Sequence, residues 1–374
     1  MPKIRLLIVD DAVVIRRLLA DCFAGDPDIE VVGTAANGQI ALAKLTQLNP
    51  DVVTLDMEMP VMDGLQTLAA IRRTHRALPV IMFSTLTERG AAATLDALAL
   101  GASDYVTKPA NVGSVGAAMQ RVREELIPKI RALCGRKAAA VPVPVRPANG
   151  TRPPFASAFP GPVDIVAIGV STGGPNALAA LLPGFIKPFP VPVVIVQHMP
   201  PLFTRLLAER LAAVSGLVAH EGEGGAEILP GEVWVAPGGR HMELERVSDS
   251  IRIFTNENPP ENSCRPAVDV LFRSVARTYG SRALAVVLTG MGQDGLRGCE
   301  HIREAGGRVL AQDQASSVVW GMPGAVAGAG LADAILPLAA MADEINRRVS
   351  IGLRRPSQPR PAGLVPTAQP ALHP

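Results

Sequence analysis

Residues 4–11 read Ile-Arg-Leu-Leu-Ile-Val-Asp-Asp, an apolar run that stops at two carboxylates. A run of that length, rich in Ile, Leu and Val, predicts a short buried strand whose carboxyl end opens into a polar loop. A helical pattern over residues 12–24 follows it. The same unit then recurs. Strands are expected at 29–35, 51–55, 80–84 and 104–106, with helices at 38–47, 65–73, 91–99 and 115–133. Five strand-then-helix units in about 130 residues imply a parallel sheet with helices on both faces.

Further along, a second series of the same kind begins. Strands are expected at 164–170, 193–197, 233–236, 283–288 and 308–311, helices at 175–182, 203–213, 267–279 and 295–305. A hairpin of residues 242–247 and 251–255 is split by Ser-Asp-Ser. Between the two series, Pro142, Pro144, Pro147, Pro153, Pro154, Pro160 and Pro162 sit among Ala, Val and Arg. Such a stretch sustains neither a helix nor a central strand and reads as a semi-rigid linker. The expected class is α/β throughout. A flavodoxin-like (βα)5 domain with strand order 2-1-3-4-5 occupies residues 1–125. A helix end and Pro-rich linker occupy 126–160, a doubly wound α/β domain 161–350, and a disordered tail 351–374.

Composition agrees with two globular units. The 374 residues predict two or three domains at roughly 100–200 residues each. Hydrophobic residues at 48% and charged residues at 19% exclude wholesale disorder. Aromatics at 3% argue against stacking platforms for single-stranded nucleic acid. Cys22, Cys134, Cys264 and Cys299 lie far apart with no CxxC pair, against a disulfide framework or a cysteine zinc site. Residues 1–125 carry 12 Lys/Arg against 15 Asp/Glu, residues 126–160 six against none, and residues 161–350 carry 15 against 19. Two mildly acidic blocks flank a basic connector, so neither resembles a nucleic-acid-binding domain. No apolar run reaches the roughly 18–20 residues of a membrane span, and the N-terminus lacks a signal-peptide core. The expectation is a soluble cytoplasmic protein with no nucleic-acid partner and no direct membrane insertion.

Carboxylates mark the strand ends of the first series. Asp10 and Asp11 follow the first strand, Asp56 the third; Ser84 ends the fourth and Lys108 follows the fifth. In a doubly wound sheet these positions share one rim. Three acids that close coexist best around a cation, which points to Mg²⁺. Asp56 is then the candidate phosphoryl acceptor, with Lys108 and Ser84 available to phosphoryl oxygens. A cis bond to Pro109 would aim the Lys108 ammonium inward.

The second series offers Gly169-Val170-Ser171-Thr172-Gly173-Gly174-Pro175 between a strand and a helix. Two readings compete. The turn can cradle a phosphate on a helix N-terminus, although it lacks the ending of a P-loop. Alternatively, Ser171 is a nucleophile on a sharp turn, with N–H groups available to an oxyanion. Of the six histidines, His198 alone follows a strand end on the same rim; His220, His241 and His301 lie in or beside polar, surface-type segments. Asp294, in the glycine-rich loop Thr289–Gly295, is the candidate orienting acid, or else a helix cap. The order Ser171, His198, Asp294 differs from the Ser, Asp, His order of α/β-hydrolases. In this reading His198 takes the Ser171 proton and Asp294 holds the imidazole.

The set Val9-Asp10-Asp11, Leu55-Asp56-Met57, Met59-Pro60-Val61-Met62-Asp63-Gly64, Ser84 and Lys108-Pro109 closely resembles response-regulator receiver domains. The resemblance implies that a histidine kinase phosphorylates Asp56, and that Ser84 and the aromatic Tyr105 shift together when it does. Ser171-Thr172-Gly173-Gly174-Pro175, Gln197-His198-Met199-Pro200, Ala236–Met242, Arg265–Phe272, Thr289–Gly295 and Gly321-Met322-Pro323 closely resemble the CheB family. That family comprises chemotaxis-type receptor methylesterase/glutaminases. This second resemblance spans residues 4 to about 350 and covers the receiver–linker–catalytic order. It implies that Ser171, His198 and Asp294 form the triad, with backbone N–H groups of Met291 and Thr172 facing the oxyanion. It further implies γ-glutamyl methyl esters of methyl-accepting chemoreceptors as substrates, with glutamine deamidation in some members. The linker and the tail match no family pattern.

Family resemblance also implies that the unphosphorylated receiver covers the catalytic rim. Swinging a closed:open ratio from 1:99 to 99:1 needs about 5.5 kcal/mol, so one phosphate is expected to give graded activation. Two rival readings remain. One is a response regulator with a non-catalytic binding domain; the other is a stand-alone serine esterase or protease.

Overall fold

A computed structural model describes residues 2–108, 115–135 and 161–353. Its first sheet holds β1 (Ile4–Val9), β2 (Ile29–Ala35), β3 (Val52–Asp56), β4 (Val80–Ser84) and β5 (Asp104–Thr107). All neighbours are parallel, in the order β2-β1-β3-β4-β5, as the alternating pattern predicts. Every residue of β3 and β4 is buried, which is why these strands read as continuous rather than alternating apolar runs. The helices are α1 (Val13–Phe23), α2 (Gly38–Leu48), α3 (Gly64–Thr74), α4 (Glu88–Ala99) and α5 (Val115–Cys134). Leu6 and Ile8 of β1 pack with Leu19 of α1 and Leu126 of α5. Leu7 and Val9 face the other way, among Ala41 of α2, Leu68 of α3 and Leu95 of α4. Alternation along one strand thus serves both layers.

The second unit contains β6 (Ile165–Val170), β7 (Val193–Gln197), β8 (Val218–Glu221), β9 (Glu232–Val235), β10 (His241–Val247), β11 (Ser250–Asn256), β12 (Ala283–Val287), β13 (Arg308–Gln312) and β14 (Ala334–Leu336). Seven of them form a parallel sheet ordered β14-β13-β12-β6-β7-β9-β8, and β10 and β11 make the separate hairpin. Its helices are α6 (Gly174–Leu181), α7 (Phe203–Ser215), α8 (Val268–Tyr279), α9 (Leu296–Glu304), α10 (Met322–Gly328) and α11 (Leu338–Leu353). Strand β6 lies between β7 and β12. The chain builds outward from β6 on both sides, so the loops after β6, β7 and β12 adjoin at the switch point, where α/β sheets bind ligands.

Four elements go beyond the sequence expectation. Strands β8 and β14 are edge strands of four and three residues, too short for a periodic signal. Helices α10 and α11 were likewise unassigned; α11 buries Met341, Ile345 and Val349, an i, i+4, i+8 stripe. Helix α11 runs three residues into the stretch expected to be disordered. The rest of that tail, the Pro-rich part of the linker and Pro109 lie outside the described residues. The two units meet along α4, which packs on α6 and α7. Apolar side chains of both units join one continuous cluster, including Leu95, Leu98 and Tyr105 with Phe203 and Leu207.

Candidate functional sites at two strand-end rims

On the first rim, Asp10, Asp11 and Asp56 bring carboxylate oxygens within 4.8 Å of one another. Lys108 Nζ lies 2.8 Å from Oδ1 of Asp56 and 3.0 Å from Oδ2 of Asp10. That Asp10 oxygen is buried, and the Lys108 ammonium is the one charge paired with it among the described residues. Burial pushes the Asp56 carboxyl up to about 6, against the pull of Lys108. Burial alone would lower the Lys108 ammonium; the hydrogen bonds and charges of Asp56 and Asp10 outweigh it and raise it. Three carboxylates whose oxygens converge within 4.8 Å, against one ammonium, fit a hard cation such as Mg²⁺. A cleft of about 650 Å³ opens here, lined by Asp11, Asp56, Met59, Thr85, Arg89 and Lys108 among others.

Ser84 and Tyr105 are turned away from this cleft. The buried Ser84 hydroxyl accepts from Thr94 Oγ1 at 2.6 Å and lies 3.2 Å from the Gly90 carbonyl. Tyr105 is stacked on Phe203 of the second unit, ring centroids 4.8 Å apart. Any contact of Ser84 with a phosphoryl group at Asp56 requires its hydroxyl to rotate.

On the second rim, Ser171 follows β6, His198 follows β7 and Asp294 lies beyond β12. Ser171 and the loop after β12 are in close contact. The Ser171 N–H donates to the Thr289 carbonyl at 3.0 Å. A Cβ on Gly290 would come within 2.8 Å of Ser171 Cβ, so only glycine allows that approach. Gln197 Nε2 donates to the Ser171 and His198 carbonyls at 3.0 and 3.3 Å. Neither Met291 nor Thr172 spends its backbone N–H on a hydrogen bond among the described residues.

His198 Nε2 lies 2.7 Å from Oδ2 of the buried Asp294. The other nitrogen, Nδ1, approaches Cys264 Sγ at 3.5 Å. Among the described residues no hydrogen bond joins Ser171 Oγ to His198. The imidazole and carboxylate are thus paired, and Ser171 lines the same small cavity as His198 without a hydrogen bond to it. Resting hydrolase sites are often this loose and tighten on substrate. Burial works to lower the imidazole, but Asp294 and Cys264 outweigh it and bring it up to about 9. Asp294 moves the other way, held down by His198 and by the backbone N–H groups of Val268 and Asp269 at 2.7 and 3.0 Å, which outweigh its burial. Those two N–H groups open helix α8, whose dipole favours an anion.

The expected surface position of His241 is corrected. It is 1% exposed, with Nε2 3.1 Å from the Pro259 carbonyl and Nδ1 accepting from the Ala267 N–H. It braces the start of α8. His220 and His301 are exposed. Sequence reasoning missed Cys264 and Asn262, which touch His198 and Asp294 respectively from a loop with no periodic signal.

The second rim is shut. The cavity shared by Ser171 and His198 is about 20 Å³ and is also lined by Leu98, Asp104, Tyr105 and Lys129 of the first unit, room for about one water molecule. Thr172 Oγ1 donates to Asp104 Oδ2 at 2.9 Å, and Asn176 Nδ2 to the Leu98 carbonyl at 2.6 Å. Arg205–Glu88 and Arg210–Asp96 pairs border the contact.

Residues 6–120 match the family model for the response regulator receiver domain, and residues 166–345 that for the CheB methylesterase. A protein-glutamate methylesterase/protein-glutamine glutaminase of Trichodesmium erythraeum is 57% identical over 351 residues, covering 93% of this chain and all of that protein. The chain belongs to the CheB family. A Nocardioides relative with the same description is 55% identical, over 96% of this chain and 98% of its own length. The solved CheB methylesterase catalytic domain of Thermotoga maritima is 42% identical, covers 50% of this chain and 98% of its own, with a TM-score of 0.49. A CheB-family output domain does not favour the non-catalytic alternative. Among the described residues, no helix is long and apolar enough to cross a membrane.

Proposed function

We propose that this chain is a phosphorylation-controlled carboxylic ester hydrolase that demethylates glutamate methyl esters on methyl-accepting chemoreceptors. The observation that carries the reading is the His198–Asp294 pair beside Ser171, on the rim of a CheB-matching unit. Since Asp294 takes Nε2, Nδ1 is the basic nitrogen. Ser171 Oγ attacks the ester carbonyl as its proton passes to Nδ1 of His198, which must first exchange its contact with Cys264 Sγ for one with the serine hydroxyl. The backbone N–H groups of Met291 and Thr172 receive the developing oxyanion. Collapse expels methanol, protonated by His198, and leaves an acyl-serine. Water, deprotonated by the same imidazole, releases glutamate. A glutamine side chain would follow the same course with ammonia leaving, so the glutaminase activity of the relatives is chemically within reach.

The receiver supplies the control. Asp56 accepts a phosphoryl group from a histidine kinase, and Asp10, Asp11 and Asp56 would hold the Mg²⁺ that neutralises its oxygens. Lys108 pairs with the phosphoryl group and Ser84 turns towards it. That movement frees Tyr105 and loosens the contact that covers Ser171. The work is set in the cytoplasm, where kinase and receptor tails meet.

The test is methanol release from methylated receptor membranes. Wild type with a small phosphodonor and Mg²⁺ should exceed wild type alone, and Ser171→Ala should release none. No methanol from wild type under either condition retires the assignment.

A further inference from the structure

The mechanism above leaves unexplained a tight loop that touches the acid–base pair. Residues 261–264 turn just ahead of α8. Glu261 and Cys264 close the turn by exchanging backbone hydrogen bonds of 3.2 and 2.8 Å, and Arg273 grips the Glu261 carboxylate through two more. Inside the turn, Asn262 and Ser263 stand at φ of 51° and 61°, in the left-handed region. Glycine, asparagine and aspartate enter that region most readily.

Asn262 Nδ2 donates to two buried carboxylates at once, Oδ1 of Asp294 and Oδ2 of Asp269, both at 2.9 Å. Asp294 is otherwise held by the N–H groups of Val268, Asp269 and Gly295 and by His198. Among the described residues Asn262 is thus its one side-chain donor besides the imidazole. Asp269 is anchored at its far oxygen by the Gly298 N–H at 2.7 Å. Burial and the charge of Asp294 both push the Asp269 carboxyl up, while the amide works against them.

We propose that Asn262 is a positioning residue of the acid–base pair. Its amide holds Oδ1 of Asp294 so that Oδ2 faces Nε2 of His198, and it separates two carboxylates that would otherwise share a proton. This rests on the reading of His198 as the base. The residue type follows from two demands that only asparagine meets together. Glycine tolerates the left-handed backbone but has no donor. Aspartate tolerates it but presents an acceptor and a third negative charge. Glutamine and lysine donate but fit the backbone poorly. Without the donor, a proton shared between Asp269 and Asp294 would weaken the grip on Nε2–H, and the imidazole would sample the wrong tautomer. The other charges near this cluster are Arg273 and Arg297, both of which feel Asp269, and Glu261 in the loop itself.

The experiment compares the full-length wild type with Asn262→Gly and Asn262→Asp, both compatible with the loop backbone. The first readout needs no turnover: ¹⁵N shifts of the His198 ring, recorded in a Ser171→Ala background. Above about pH 9, where the ring is neutral, the parent should show Nε2 protonated and Nδ1 as the lone-pair nitrogen, and Asn262→Gly should show mixed tautomers. The second readout is methanol release. Asn262→Gly should lower kcat about a hundredfold, the low end of what a positioned base contributes, with KM within about twofold. Asn262→Asp should move the acid limb of the profile upward by about one pH unit, as a nearby like charge on the acid side stabilises the imidazolium. Wild-type tautomer and profile in both variants would overturn the proposal. So would a kcat loss that merely follows a lowered Tm with the limb unmoved. Altered tautomers alongside a wild type that releases no methanol would uphold the positioning role and sink the hydrolase reading instead.

Discussion

The Tyr105 ring of the receiver lies against the Phe203 ring of the output unit, with centroids 4.8 Å apart and planes 7° from parallel. Tyr105 is the aromatic that a receiver is expected to move on phosphorylation, and Phe203 opens α7 behind the closed rim. The two ends of the proposed signal therefore meet in one stacked pair, beside the Thr172–Asp104 hydrogen bond. Two sites with opposite access follow from this docking. The cleft at Asp56 is open, about 650 Å³, while the cavity at Ser171 is about 20 Å³.

Weakening that pair should loosen the closed form. A stacked aromatic pair contributes about 0.5–1.5 kcal/mol beyond its buried area. Tyr105→Ala should therefore raise methanol release without phosphodonor by roughly two- to tenfold. Linkage demands the reciprocal effect at equilibrium, tighter binding of a phosphoryl analogue such as beryllofluoride at Asp56. A variant no more active than wild type in the unphosphorylated state would remove the stack from the gate.

The Asp56 carboxyl is held near 6 rather than its ordinary 3.8, chiefly by burial. An acid raised in the folded state opposes folding once ionised, and the penalty fades as pH falls through the raised value. Asp56→Asn should thus have a higher Tm than wild type at neutral pH, with the gap shrinking towards about pH 5. Mg²⁺ should raise the wild-type Tm and leave that of the variant nearly unchanged. Calorimetry across pH, with and without the ion, measures both.

His198 is raised from 6.5 to about 9 by Asp294 and Cys264 despite its burial. A raised histidine stabilises the fold fully below about 6.5, and that contribution is lost as pH climbs through about 9. Denaturant titrations should show wild type weakening over this window, and Asp294→Asn should not. Methanol release should rise over the same window, because only the neutral imidazole accepts the serine proton. Asp294→Asn should lose activity by up to about 10⁴-fold through the wrong tautomer.

Gly290 is packed so closely on Ser171 that a Cβ there would stand 2.8 Å from Ser171 Cβ and 2.4 Å from Met322 Sδ. Gly290→Ala should displace the serine by a fraction of an ångström to an ångström and cost about a hundredfold in kcat. The receiver should still accept phosphate at the wild-type rate. Unchanged kcat would show that the site absorbs the methyl group.

Much of the fold was legible because buried parallel strands declare themselves. β3, β4, β6, β7 and β12 are apolar at nearly every position; β3, β4 and β7 end in Asp, Ser and Gln, and β6 in a valine followed by Ser171. The strand-end rule then placed Asp10, Asp56, Lys108, Ser171 and His198 on their rims. Edge strands β8 and β14 were missed because a half-exposed strand of three or four residues has no period to detect. His241 was misplaced because its neighbours are polar, while its own ring is drawn inward by the Pro259 carbonyl and the Ala267 N–H. Asn262 and Cys264 were invisible for a related reason: loop residues gain meaning from what they touch, and sequence spacing does not encode that.

The amino-acid order alone determined that this chain builds two parallel sheets and which side chains stand at their carboxyl ends. Those outcomes depend on local apolar runs and on the right-handed connection of strand to helix, both written in neighbouring residues. Only the tertiary structure decided which imidazole nitrogen Asp294 takes, that Asn262 and Cys264 brace the pair, and that Tyr105 and Asp104 close over Ser171. These are contacts between residues up to a hundred positions apart. Their geometry is set by how helices and loops pack, and no stretch of sequence carries it.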